Sequence, residues 1–73
     1  MTIEVDARDL LCPLPVLKAR KVLAGLPPGT LVRVLATDGM ARIDLPHFCA
    51  EAGHVYLGSD ADGPVTRHLI RRG

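Results

Sequence analysis

Pro13 and Pro15 stand two residues apart in the segment Leu11-Cys12-Pro13-Leu14-Pro15, and that pair leaves the local chain little freedom. Proline lacks an N–H and has a fixed φ, so two so close together would break a helix interior. At a helix start they are harmless, because the first four N–H groups have no partner within the helix. The pair therefore marks a beginning, with Cys12 as the N-cap, Pro13 at the first helical position and Pro15 at the third. Downstream, Val16, Ala19, Val22, Leu23 and Leu26 recur at spacings of three and four, one apolar stripe. Gly25 and Pro27-Pro28 stop this helix, and Gly29 completes the turn.

The flanking segments read as strands and a second helix. Ile3 and Val5 alternate with Thr2, Glu4 and Asp6, as in a short strand with one buried face, and Asp6 to Leu11 connects it to the helix. Leu31 to Ala36 is a nearly continuous apolar run, suited to a central strand buried on much of both faces. Asp38 reads as the cap of a short helical turn. Asp44 reads as the cap of the second helix, with Pro46 in its first turn and Leu45, Phe48, Cys49 and Ala52 on one face. Gly53 closes that helix, and Val55 and Leu57 alternate in a third strand. Asp60-Ala61-Asp62-Gly63-Pro64 is a turn, and Val65 to Arg71 is the fourth strand of a hairpin. The order β-α-β-α-β-β predicts an α/β (α+β) two-layer sandwich: one domain over residues 1–73, a mixed four-stranded sheet and both helices on one face.

Composition narrows the function. With no Trp, one Tyr and one Phe among 48% hydrophobic residues, the core is aliphatic and there is no aromatic platform for stacking bases. A formal net charge of +1, with acids and bases mixed along the chain, argues against direct nucleic-acid binding and against an anionic membrane surface. No apolar run approaches the ~20 residues that span a bilayer. The N-terminal segment lacks the basic and apolar regions of a signal peptide. Two cysteines make no multi-bridge scaffold, so a reducing cytoplasm is the expected setting.

Cys12 is the residue with chemistry in reach. At a helix N-terminus a thiolate meets the positive end of the macrodipole and unpaired N–H donors, both of which favour the nucleophilic form. Arg8 adds positive charge nearby, while Asp6 and Asp9 oppose it. The competing reading is a small buried hydrophobe. Leu14 and Leu17 project away from the apolar stripe, beside Lys18 and Lys21; they are either a docking surface for a protein partner or ordinary exposed leucines. Cys49 shares a face with Leu45 and Phe48, as a core residue would. His47, His54 and His68 are scattered surface or half-buried residues without metal-ligand spacing, so no metal is expected.

The segments Asp6-Ala7-Arg8-Asp9-Leu10-Leu11-Cys12-Pro13-Leu14-Pro15, Thr37-Asp38, Ile43-Asp44-Leu45-Pro46-His47-Phe48-Cys49 and Leu69-Ile70-Arg71-Arg72-Gly73 together resemble the TusA (SirA-like) sulfur-carrier family, over essentially the whole chain. The resemblance implies the same β-α-β-α-β-β sandwich in a bacterial, cytoplasmic protein. It implies that Cys12 accepts sulfane sulfur as a persulfide and relays it, with Pro13, Pro15, Arg8 and Asp6 supporting the motif. The sulfur is cargo, and no cofactor is implied. Donors in the family are cysteine desulfurases or rhodanese-type sulfurtransferases. Acceptors, often DsrE-like, serve tRNA 2-thiolation, molybdenum-cofactor supply or sulfur oxidation. Family members commonly have Gly where this chain has Asp9 and Pro where it has Gly39. Asp tolerates the left-handed conformation better than most residues, so Asp9 keeps a glycine-type turn but brings a negative charge towards the thiol.

A carrier of this kind transfers a group without turnover of its own and is most simply a monomer. Two other readings stand beside it: a regulatory or RNA- or protein-binding module of the SirA type, and a small thiol oxidoreductase pairing Cys12 with Cys49. The low net charge weighs against the second, and the absence of a C-x-x-C spacing against the third.

Overall fold

The alternating N-terminal segment forms β1 (Thr2–Ala7), and the proline-led segment forms α1 (Leu14–Ala24). In the computed structural model, which describes residues 1–73, these are followed by β2 (Leu31–Ala36), α2 (Ala41–Ala52), β3 (Val55–Asp62) and β4 (Val65–Arg71). The sheet order is β1-β2-β4-β3. A helical crossover returns the chain to the same end of the sheet, so β1 and β2 are parallel, in register from Thr2 opposite Leu31 to Ala7 opposite Ala36. β4 is antiparallel to both β2 and β3. The helices touch each other and the sheet, giving the expected two-layer sandwich with a mixed sheet.

Between the layers lie Val5, Ala7, Val32, Val34, Ala36 and Ile70 from the sheet, Ala19 and Leu23 from α1, and Ala41, Leu45 and Cys49 from α2. Leu23, Leu45 and Ile70 are the largest fully buried apolar side chains, each contributing on the order of 2–3 kcal/mol of hydrophobic stabilisation. Alanines at 7, 19, 36 and 41 fill the remainder and keep the layers close.

Several local expectations are corrected. α1 starts at Leu14 with Pro13 as its cap and Pro15 at the second position, so Cys12 lies one residue outside the cap. The cause is a separate turn, Leu14 N–H to the Leu11 carbonyl at 2.8 Å, that closes before the helix begins. β2 buries Val32, Val34 and Ala36 on one face only; Leu31 and Leu35 are half-buried and Arg33 is exposed on the other, which no helix covers. α2 begins three residues before Asp44. The carboxylate of Asp38 accepts the Met40 N–H at 3.1 Å and its carbonyl accepts that of Ala41 at 3.1 Å, so Asp38 turns the chain directly into the helix. Asp44 is therefore in its first turn and Pro46 inside it.

In β3 the buried face is inverted. The pairing slips between Tyr56, opposite Ile70, and Gly58, opposite Leu69, leaving Leu57 as a bulge. Tyr56 thus packs on the core, whereas Val55 and Leu57 are exposed. The hairpin is also tighter than expected: Asp60 to Asp62 belong to the strand, and Gly63-Pro64 makes the turn.

His68 is fully buried, in contrast to its expected surface or half-buried position. The Thr66 hydroxyl donates to the Ala36 carbonyl at 3.2 Å, which leaves its oxygen to accept from His68 Nε2 at 2.8 Å. Nδ1 then accepts from the Tyr56 hydroxyl at 2.8 Å. Each partner in this chain is satisfied with a neutral ring. Burial pushes the His68 pKa below its usual value, with Arg42 acting in the same direction and Asp60 against it.

A depressed imidazole pKa means the unfolded chain binds a proton that the folded one refuses. Stability is complete above about pH 6.5 and falls below it, with a limiting slope of about 1.4 kcal/mol per pH unit. Urea unfolding is expected to give a lower midpoint at pH 5.5 than at pH 7.5, while imidazole NMR shows His68 of the folded protein protonating at lower pH than an ordinary histidine. Equal midpoints with an ordinarily titrating His68 would contradict this account.

Candidate functional site

The parallel pairing of β1 and β2 places their C-terminal ends side by side, and the loops leaving those ends build the site. The first loop starts with Asp6 and Arg8. The Arg8 guanidinium grips the Asp6 carboxylate through Nε and Nη2, both at 2.9 Å, and the Arg8 N–H donates to the same carboxylate at 3.1 Å. That hydrogen bonding holds the Asp6 carboxyl well below the usual carboxylate range. Lys18 reaches back from α1 and donates to the Asp6 carbonyl. Arg8 and Lys18 are thus engaged at β1, and their charge is spent there.

Asp9 has φ of 66°, the left-handed conformation a glycine would adopt without strain. Its N–H donates to the Thr37 hydroxyl at 2.9 Å, tying the first loop to the end of β2. Asp9 therefore serves the turn.

Cys12 is exposed, and two carboxylates hold it, Asp38 from the second loop and Asp44 from α2. Its N–H donates to the Asp38 carboxylate, which also holds the Met40 N–H. Its thiol donates to Asp44 Oδ2, at an Sγ–Oδ2 distance of 2.9 Å. The result reverses the expected electrostatics. The hydrogen bond to Asp44 raises the thiol pKa, and local desolvation and the charges of Asp44 and Asp38 push it the same way. The helix terminus that was to favour the thiolate lies two residues further on, and the two nearby carboxylates dominate. Sequence reasoning gives both a capping role and a place in the family-like segments, but no part in the electrostatics of the thiol. The signal available was that both Asp38 and Asp44 stand where the chain enters the second helix, on the same end of the sheet as Cys12.

Beside the thiol an open groove of about 340 Å³ runs between the helices. Val16 and Leu17 line it from α1 and Phe48 from α2, with Arg20, His47 and Glu51 also on its walls. His47 Nε2 meets Glu51 Oε1 at 2.5 Å, one helical turn on. Leu14 and Leu17 are 47% and 48% exposed, and Lys21 is exposed on the same helix. Sequence reasoning missed their companions: Leu11, Met40 and Ile43, each within two positions of a residue of the Cys12–Asp38–Asp44 cluster, are 71%, 45% and 63% exposed.

Cys49 is buried in the core, where desolvation pushes its thiol up to about 11. His54 accepts the Gly73 N–H at 3.0 Å and lies against Phe48, with ring centroids 5.6 Å apart. No three His, Cys, Asp or Glu side chains gather as a metal-binding group, and no helix is long and apolar enough to cross a membrane.

A family model described as Sulfurtransferase TusA matches residues 3–72. The chain is 39% identical over 72 residues to the candidate sulfur carrier protein YrkF of Bacillus subtilis (strain 168), covering 99% of this chain and 39% of YrkF. It is 48% identical over 63 residues to the candidate sulfur carrier protein NMA0882 of Neisseria meningitidis serogroup A, covering 85% of each. The crystal structure of a SirA-like protein from Desulfitobacterium hafniense superposes with a TM-score of 0.80 at 33% identity, covering 100% of this chain and 99% of that one.

Because its pKa is raised, Cys12 is expected to react with iodoacetamide more slowly than free cysteine at pH 7, its rate climbing at higher pH. Cys49 is expected to react only after unfolding in urea. Peptide mapping at several pH values checks both, and a Cys12 faster than free cysteine at pH 7 would contradict the assignment.

Proposed function

The chain belongs to the TusA family of sulfur carriers, and from that premise we propose that Cys12 carries sulfane sulfur as a persulfide and relays it between proteins. The observation that supports this reading is the contrast between the two thiols. Cys12 is exposed beside an apolar-walled groove, while Cys49 is enclosed in the core. A carrier needs one sulfur that two different proteins can reach in turn.

Leu14 and Leu17, joined by Leu11, Met40 and Ile43, form the apolar contact surface around that sulfur, and Lys21 stands at its margin. Its partners are a cysteine desulfurase or rhodanese-type donor and a DsrE-like or other sulfur-accepting protein. The pathway served is tRNA 2-thiolation, molybdenum-cofactor supply or sulfur oxidation. The protein works as a cytoplasmic monomer without a cofactor, the persulfide sulfur being cargo. Pro13 and Pro15 hold the start of α1 next to the thiol, and the Asp6–Arg8 pair stiffens the loop before it. The oxidoreductase reading loses support from the burial of Cys49, which takes the second thiol out of solvent.

Incubation with a cysteine desulfurase and cysteine, followed by intact mass measurement, tests the carrier role. The wild type and Cys49→Ser are expected to gain one sulfur that dithiothreitol removes, and Cys12→Ser none. Equal dependence on both cysteines, or no gain with any donor, would sink the reading.

A further inference from the structure

The hydrogen bond from Cys12 to Asp44 is the only one the sulfur makes, and it points its proton at a carboxylate. Both ends of this contact are held. Asp38 fixes Cys12 through its backbone N–H, and Asp44 sits in the first turn of α2. Of the other charged groups near the thiol, Asp38 holds the Cys12 and Met40 backbone, His47 is bound to Glu51 on α2, and Arg20 on α1 is a guanidinium that cannot accept a proton. A thiol kept protonated in this way must lose its proton as it attacks and regain one when it leaves. We propose that Asp44 is the group that takes the proton of Cys12 and returns it, an assignment that rests on the carrier reading above.

In loading, Cys12 Sγ bonds to the terminal sulfur of the donor persulfide, and the S–S bond of the donor breaks. The electron pair of that bond stays on the donor cysteine, which leaves as a thiolate. The thiol proton of Cys12 passes to Asp44 and from there to the departing thiolate, while the transferred sulfur keeps its own proton. The products are the donor thiol and Cys12–S–SH, with no net oxidation. In unloading, an acceptor thiol attacks the terminal sulfur, its proton reaches Asp44, and Asp44 protonates Cys12 as the S–S bond to it breaks. General acid–base assistance within hydrogen-bond reach is the geometry such a role requires.

Asp44→Asn separates proton transfer from simple electrostatic restraint, because the two predict opposite signs. Removing the carboxylate makes Cys12 more acidic, so alkylation by iodoacetamide at pH 7 is expected to speed up. Loading from glutathione persulfide, followed by quenched intact mass, is expected to slow about 10- to 100-fold at pH 6.5. The deficit closes as the pH is raised and the thiolate forms unaided. Continued resistance of Cys49 to alkylation shows that the variant is folded. Loading of Asp44→Asn at or above the wild-type rate throughout the pH range overturns the proposal and leaves the carrier reading intact. A wild type that gains no sulfur overturns both.

Discussion

The carboxylate of Asp38 holds two backbone N–H groups that belong to different parts of the chain, those of Cys12 and Met40. Through the first it anchors the loop between β1 and α1, and through the second it starts α2. The position of the thiol, the position of Asp44 and the relative placement of the two helix starts all depend on that one group. A charged acceptor shared by two amides makes hydrogen bonds stronger than neutral ones, which suits a joint that must hold an exposed residue in place. The second tie across the same gap, from Asp9 N–H to Thr37, is neutral and closes the loop at its other end.

The electrostatics around Cys12 follow from this joint. The carboxylates that organise the loop also raise the thiol pKa, so structural order comes with a protonated sulfur. The cations that would offset them are engaged elsewhere, Arg8 with Asp6 and Lys18 with the Asp6 carbonyl. In a free carrier this arrangement trades reactivity for persistence: a protonated thiol is a poor nucleophile towards chance electrophiles and oxidants.

Much of the architecture was legible because periodicity reports it directly. Leu31 to Ala36 emerged as a strand with the expected bounds, and the stripe from Val16 to Leu26 became the inner side of α1 and the turn after it. Where reading failed, the cause was a long-range hydrogen bond or a local irregularity. Asp44 looked like a cap because its neighbours carry the right pattern, but Asp38 had already started the helix. Val55 and Leu57 looked inward because alternation assumes an unbroken pleat, and the bulge at Leu57 breaks it. The thiol itself could be picked out from Pro13 and Pro15, yet its partners lie 26 and 32 residues away in sequence. Local spacing does not encode such contacts, so the sign of the pKa shift was hidden.

The same bulge bears on what one border of the sheet offers to another strand. β3 is an outer strand of the sheet, and an outer strand normally offers a row of free backbone groups to any passing chain. Here the row is interrupted at Leu57 and Gly58, and Asp60 and Asp62 follow along the same strand. A bent, acidic border is a poor template for strand addition. Of the two outer strands, β3 is therefore the less open to pairing, and β1, which runs in unbroken register, is the one that keeps a regular edge.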